Sequence, residues 1–195
     1  GVDALSSFPG DVFLFAYLLG LARFCTMLAA LDTGSSFEGM GAAREALFSA
    51  LAEPALVLAF LVFISQSGSL SLSGMLKSPA NVDWALHGPS LLLIAAALFL
   101  VLLSENCRIP FDDPNTHLEL TMIHEVMVLD HGGMDLGFIH YGAALKLWVF
   151  SSIIAGLLVP VKTSGPFAGL LLVSAALLLV TVSVGVVEST MARLR

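Results

Sequence analysis

The sequence has 195 residues, of which 57% are hydrophobic and only 12% are charged, and its mean hydropathy is +0.95. A soluble domain usually carries about 25% charged residues, so the composition excludes an ordinary soluble domain and indicates an integral membrane protein. The net charge of −7 argues against binding to nucleic acid. The chain begins with Gly1 rather than Met, which favours a segment of a longer polypeptide.

Five apolar runs reach or approach the length of about 20 residues that a helix needs to cross a bilayer. They cover residues 12–31, 46–65, 89–104, 138–160 and 167–187. The predicted fold class is therefore an all-α integral membrane protein, a bundle of about five transmembrane helices that forms one domain over residues 1–195. Its loops are predicted at residues 32–45, 66–88, 105–137 and 161–166.

Basic residues are distributed unevenly between the two sides of such a bundle. The loops 32–45 and 105–137 share one side with the C-terminal tail. That side has four basic residues and the opposite side has two: Arg44, Arg108, Arg193 and Arg195 against Lys77 and Lys162. Cytoplasmic loops carry an excess of Lys and Arg, so the bias predicts a multi-pass protein of the inner (plasma) membrane with the loop 105–137 in the cytoplasm.

The segment 105–130 holds an unusual concentration of charge. Six acidic residues accompany Arg108, the single basic one: Glu105, Asp112, Asp113, Glu119, Glu125 and Asp130. Charged side chains are costly in lipid, so this segment must face water, a protein partner or a polar cavity. We predict that it docks a partner by charge complementarity, with Arg108, Asp112, Asp113, His117 and His124 in the docking loop.

Two prolines define the local structure of this acidic loop. Pro110 and Pro114 break any helix between them, and Asp113 directly before Pro114 has the pattern of a helix N-cap. We expect a helix from about residue 114 to 131, because the Gly pair at 132–133 would end it there.

Histidines in this region do not have metal-ligand spacing. His117, His124 and His131 are seven residues apart, or about 10.5 Å along a helix, which is too far for neighbours to share one metal ion. The two cysteines, Cys25 and Cys107, form no set that could hold an iron–sulfur cluster or a structural zinc. We therefore expect no metal or cofactor bound by this chain alone.

Three charges fall inside predicted spans. Arg23 lies eight residues before Leu31, Glu53 eight residues after Glu45 and Lys146 eight residues after Phe138, which gives a similar depth of about 12 Å from the cytoplasmic face. Ionisable residues in membranes usually pair and often mark proton or ion paths. The simpler interpretation is that Arg23 and Lys146 extend toward the interface and Glu53 pairs with one of them. Pro54 supports the functional interpretation because it frees a backbone carbonyl one turn earlier.

Four strings of the sequence resemble one family of membrane subunits. They are ENCRIPFDDPNTHLELTMIHE at 105–125, LDTGSSFEGMGAARE at 31–45, LFSALAEP at 47–54 and VVESTMARLR at 186–195. The first resembles the signature loop of the NADH dehydrogenase subunit 1 family, closest to formate hydrogenlyase subunit 4 and the membrane anchors of group 4 nickel–iron hydrogenases. The complex I branch shares the Arg108, Pro110, Phe111 and Asp112 core but departs in the following turn.

The resemblance implies a role in coupling. It implies a subunit that anchors a peripheral hydrogenase arm to antiporter-like membrane subunits, with Glu53 at the family's in-membrane acid and Glu105, Glu119 and Glu125 in its acidic loop. Arg23 and Lys146 join these residues as candidates for proton transfer. The implied partners are the hydrogenase large and small subunits and an iron–sulfur subunit, which would hold the nickel–iron centre and the clusters.

Three alternatives remain open at this stage. The chain could be a quinone-site subunit of a complex I-type NADH dehydrogenase, a self-contained secondary transporter, or a passive anchor. A transporter predicts internal repeats, and the sequence has none. A passive anchor predicts that its acidic residues can be neutralised without loss of ion pumping.

Overall fold

The computed structural model describes residues 7–77, 84–112, 122–159 and 166–191, and all regular secondary structure in these ranges is helical. Within these ranges seven helices follow one another: α1 (Asp11–Asp32), α2 (Ser36–Ser67), α3 (Leu72–Lys77), α4 (Trp84–Glu105), α5 (His124–Met127), α6 (Gly133–Leu158) and α7 (Pro166–Thr190). Five of them, α1, α2, α4, α6 and α7, are long and apolar enough to cross a membrane. The predicted all-α bundle of about five spans is therefore confirmed.

Helix α2 begins ten residues earlier than predicted, at Ser36 instead of residue 46. The predicted loop 32–45 is wrong for most of its length. The reason lies in the residues that this first part of α2 buries, which recur at helical spacing but include acidic and small side chains: Glu38, Gly41, Ala42 and Glu45. Because that face is not apolar, a search for apolar runs does not find it.

The acidic loop also differs from its prediction. Residues 114–121 of the expected helix lie outside the described residues. In the part that follows, α5 comprises only His124–Met127, and a turn occupies residues 128–130. The predicted helix end at residue 131 is therefore wrong, and α6 begins at Gly133, five residues before the apolar run. Gly133 has a φ of +61°, a left-handed conformation that glycine adopts without a Cβ clash.

Helix α2 lies at the centre of the bundle and packs against α1, α4 and α5, while α6 packs against α4 and α7. The main core is formed by large apolar side chains of α2, α4 and α6, among them Phe63, Leu98, Leu102, Phe150 and Leu157. A smaller cluster joins Ala30 of α1 and Ala42 of α2 to Ile123 and Met127 around α5. This second cluster holds the end of the acidic loop against the end of α1 and the start of α2.

The core at Phe150 gives a test of this packing. Phe150 is completely buried and meets Phe15 of α1 edge to face, with ring centroids 6.2 Å apart. Phe150→Ala should destabilise the bundle by about 3 kcal/mol, because it removes contacts that the surrounding helices cannot recover. Thermal unfolding of the purified protein in detergent measures the loss. Phe167→Ala on α7, where the ring is 82% exposed, is the control and should change little; equal effects would contradict the packing.

Candidate functional site

The guanidinium of Arg23 on α1 is surrounded by carboxylates from two other helices. Its Nε lies 3.4 Å from Glu45 Oε1, and its Nη1 lies 3.4 Å from Glu53 Oε1, both on α2. Its Nη2 forms an ion pair with Glu105, the last residue of α4. The Arg23 side chain is only 5% exposed, so it does not extend to the interface. One buried cation therefore links α1, α2 and α4.

A second cation completes this arrangement. Lys146 of α6 lies 3.8 Å from Glu105 Oε2, and the Glu105 side chain is 1% exposed. We refer to Arg23, Glu45, Glu53, Glu105 and Lys146 as the Arg23 cluster. Buried charges of this kind require a partner, because removal of one member leaves the other stranded in a medium of low dielectric constant. The cluster thus joins four of the five spanning helices.

Glu53 occupies a different environment from the other two acids. Its side chain is 53% exposed, against 8% for Glu45 and 1% for Glu105. Gly20 of α1 lies opposite, and a Cβ atom there would come within 3.5 Å of Glu53 Oε1. Pro54 follows in the middle of α2 and has no N–H to donate along the helix. Glu53 therefore stands at the outer edge of the cluster, in the groove between α1 and α2.

A cavity of about 360 Å³ opens beside the cluster, between α1, α4 and α6. Its polar lining residues are Arg23, Glu45, Glu105, Asn106, His124 and Lys146. Its apolar lining includes Phe15, Leu19, Phe138, Leu145 and Val149. Glu53 does not line this cavity. The space is large enough for several water molecules or a small organic group, and its polar residues supply hydrogen-bonding partners.

Cys107 connects the acidic loop to the cluster. Its backbone has a φ of +47°, which is unusual for a residue with a side chain. The thiol donates to Glu45 Oε2 at 3.5 Å. Burial, and after it the negative charge of Glu45, raise the pKa of Cys107 well above its usual value of 9.0. The thiol is therefore held protonated, as a donor to Glu45.

Asp112 organises the loop from within. The residue is 3% exposed, and its Oδ2 accepts hydrogen bonds from the backbone N–H groups of Ile123 at 3.0 Å and His124 at 3.1 Å. These groups stand at the start of α5, where helical N–H groups lack intrahelical partners. These contacts make Asp112 an internal cap of α5, and its predicted role in docking a partner stays a prediction.

The far end of the loop is held by α2. Glu38 is 1% exposed, accepts a hydrogen bond from the Asp130 backbone N–H at 3.2 Å, and also bonds to the hydroxyl of Thr33. One turn further along α2, Gly41 allows α5 to approach closely, since a Cβ atom there would lie 3.0 Å from the Ile123 carbonyl oxygen. The resulting position of α5 brings His124 into the wall of the cavity.

Arg108 makes an ion pair at the surface of the protein. Its Nη1 lies 3.0 Å from Oε1 of Glu188 near the end of α7, and the two side chains are 39% and 28% exposed. The pair links the start of the acidic loop to the last helix. A partly exposed pair of this kind contributes little to stability, and the guanidinium remains accessible to a partner.

The comparison with known proteins agrees with the signature loop. A family model described as NADH dehydrogenase matches residues 2–195. The chain belongs to the NADH dehydrogenase subunit 1 family.

Relatives from both branches of the family are similar to the chain. Formate hydrogenlyase subunit 4 of Escherichia coli (strain K12) is 32% identical over 192 residues, which are 95% of this chain and 61% of that protein. Hydrogenase-4 component C of the same organism is 31% identical over 94% of this chain and 59% of its own length. An NADH-quinone oxidoreductase subunit of Rhodopseudomonas palustris (strain BisA53) is 29% identical over 76% of this chain and 45% of its own length. The chain thus spans less than two thirds of these relatives.

These relatives agree with the coarse assignment. The chain belongs to this family and carries five helices long and apolar enough to cross a membrane, and the relatives it matches are named as parts of formate hydrogenlyase, hydrogenase-4 and NADH-quinone oxidoreductase.

The structure brings together four of the residues predicted for proton transfer: Arg23, Glu53, Glu105 and Lys146. Glu53 was predicted to pair with Arg23 or Lys146, and the structure pairs it with Arg23, whereas Lys146 lies beside Glu105. Glu125 lies in α5, half-buried. Asp113, His117 and Glu119 lie outside the described residues, so their roles stay predictions.

Sequence reasoning missed Glu45, which has two contacts in the cluster region. The apolar pattern places this residue at the end of a loop, because it does not reveal the start of α2. A signal is nevertheless present, since Glu45, Ser49 and Glu53 follow one another at intervals of four residues, which places them along one side of a helix. Glu38 and Glu188 were missed for the different reason that their partners are distant in sequence.

The cap at Asp112 predicts a local loss of order on substitution. Asp112→Ala should weaken α5 by about 1 kcal/mol, because two backbone N–H groups lose their acceptor. Hydrogen–deuterium exchange should accelerate at the amides of Ile123 and His124 and remain unchanged in α4. Asp135→Ala in the first turn of α6, where the side chain is exposed, is the matched control. Unchanged exchange at both amides would show that the cap is not formed.

The cavity wall predicts a dependence of α5 on pH. Burial, followed by the nearby charges of Lys146 and His140, lowers the pKa of His124 below 6.5. In the unfolded segment His124 binds a proton as the pH falls through about 6.5, whereas in the folded segment it binds one only at lower pH. The stability of α5 should therefore be complete above pH 6.5 and decrease below it. The loss should level off below the folded-state pKa.

Exchange of the amides in residues 122–130, corrected for intrinsic rates, measures this dependence. His124→Gln should abolish the acid-induced increase in exchange. His87→Gln at the start of α4 leaves the cavity untouched and should retain it. An identical pH profile in wild type and His124→Gln would rule out the titration of this ring.

Proposed function

We propose that the chain is the membrane-anchor and coupling subunit of a membrane-bound hydrogenase or formate hydrogenlyase complex. In this proposal it links electron transfer in a peripheral arm to the translocation of protons or sodium ions across the inner membrane. Formate hydrogenlyase subunit 4 and hydrogenase-4 component C, named for such complexes, are similar to 95% and 94% of the chain. The nickel–iron centre and iron–sulfur clusters would belong to partner subunits, and this chain would bind none.

The observation that carries the proposal is the position of Glu105. This residue ends α4, contacts both cations of the cluster, and is followed directly by the acidic loop. A change of charge at Glu105 therefore acts on α1, α6 and the loop together. Conversely, a displacement of the loop by a partner would move one carboxylate relative to Arg23 and Lys146. Such a linkage is what coupling between a docked arm and buried ionisable groups requires.

The acidic loop is the proposed docking surface for the peripheral arm, on the cytoplasmic side. Asp112 and Glu38 fix the two ends of its described part, and Arg108 presents a partly exposed guanidinium beside them. A surface that is already ordered and carries charged side chains at its edge favours fast and specific association with a partner. The remaining partners, a small hydrogenase subunit, an iron–sulfur subunit and antiporter-like membrane subunits, follow from the family resemblance.

A quinone-site subunit of a complex I-type dehydrogenase is the second candidate. The observation that favours it is the cavity beside the Arg23 cluster. Its lining combines polar residues, among them Asn106 and His124, with apolar ones, among them Phe15, Leu19 and Phe138. A volume of about 360 Å³ lies within the range of small-ligand pockets. A requirement for quinone in turnover, or competition by a quinone analogue, would select this candidate.

Glu53→Gln tests the proposed coupling. The amide keeps the shape and a hydrogen bond toward Arg23 but cannot carry a proton. We expect the variant to assemble with its partners and to lose most ion translocation in sealed vesicles at matched content of the complex. Hydrogenase activity of the peripheral arm reports on redox chemistry in the same vesicles.

Asp32→Asn, which changes an exposed carboxylate at the end of α1, is the control. It should pump like the wild type. Wild-type pumping by Glu53→Gln would reduce Glu53 to a structural residue and would favour a passive anchor.

A further inference from the structure

We infer that Glu45, a residue for which the sequence suggested no role, is the group of the Arg23 cluster that takes up a proton from the cavity. The inference rests on the proposed coupling function and assigns the entry point of its proton. It follows from three observations: the charge balance of the cluster, the contacts of each acid, and the cavity that only some of the acids reach.

The charges of the cluster do not balance. Three carboxylates, Glu45, Glu53 and Glu105, face two cations, Arg23 and Lys146. The fully ionised cluster therefore carries one excess negative charge in a site where Arg23, Glu45 and Glu105 are almost completely buried and net charge is costly. Uptake of one proton makes it neutral.

The contacts of the three acids differ. Glu105 is held by both cations and is almost completely buried. Glu53 has one cation contact but lies outside the cavity, with a side chain 53% exposed in the groove between α1 and α2. Glu45 has a single cation contact, at 3.4 Å from Arg23 Nε, and its other oxygen accepts from the neutral thiol of Cys107. Of the acids that line the cavity, Glu45 is therefore the one less strongly held by cations.

The cavity can deliver the proton. Two polar atoms of its wall, Asn106 Oδ1 and His124 Nε2, are buried and have no hydrogen-bond partner among the described residues. Buried polar atoms in a space of this size are normally satisfied by water. Such water would connect the loop to Glu45. The charged and titratable groups around Glu45 are Arg23 on α1, Glu105 and Cys107 after α4, His124 on α5 and Lys146 on α6.

Infrared difference spectroscopy of the intact complex in membranes tests the inference. A step from high to low pH protonates every accessible carboxylate and gives a broad carboxylic acid C=O band, so the Glu45 component is taken from the difference between wild type and variant. Glu45→Gln should lose one component of this band, whereas Glu45→Asp should keep the area of that component at a shifted frequency. Glu38→Gln removes a buried carboxylate of the same helix that lies outside the cavity, and it should retain the wild-type band.

A band that is unchanged in Glu45→Gln would overturn the inference. If the glutamine variant fails to assemble, Glu45→Asp decides, and a band that is not shifted in this variant would overturn the inference. A band that responds to sodium and not to pH would also overturn it. The result is separable from the proposed function. A wild-type complex that shows the Glu45 band but pumps no ions would contradict coupling while leaving the proton site intact.

Discussion

A guanidinium that is buried away from water needs carboxylate partners, because a buried charge left without its partner destabilises the folded protein by about 3–5 kcal/mol. Arg23 imposes this requirement on the whole bundle. It draws Glu45 and Glu53 from α2 and Glu105 from α4 to one point, and Lys146 of α6 joins through Glu105. Apolar packing alone permits helices to rotate or slide, because lipid is as apolar as the helix surfaces. The ion pairs fix one register among them.

The same constraint reaches the acidic loop. Glu105 is the last residue of α4, and Cys107 two residues later donates its thiol to Glu45. Asp112 then caps α5, and Glu38 holds the segment that follows. The loop is thereby attached to the cluster at its first residue and to α2 at its last described turn. A displacement of the acidic loop and a change of charge in the Arg23 cluster act on a common set of contacts, which is the physical basis of the proposed coupling.

The five spans could be predicted because each contains enough apolar residues to cross a bilayer, a property of local composition. A pair between Glu53 and Arg23 or Lys146 could also be predicted, because counting residues from the ends of the spans gives these three charges a similar depth; the structure pairs Glu53 with Arg23. The start of α2 could not be found in this way, because its buried face there contains Glu38 and Gly41. The short α5 depends on hydrogen bonds from Asp112, and the ion pair of Arg108 depends on Glu188, eighty residues away. Contacts at such separations leave no periodic signal.

A double-mutant cycle on Arg23 and Glu105 tests the central claim most directly, that this buried pair sets the arrangement of the helices. The free energies of unfolding of Arg23→Gln, Glu105→Gln and the double variant are measured in one detergent. Each single change should destabilise the protein by about 3–5 kcal/mol, because it strands the opposite charge. The double variant should be markedly more stable than the sum of the two losses predicts. Strictly additive losses would mean that the two side chains do not interact and would contradict the account.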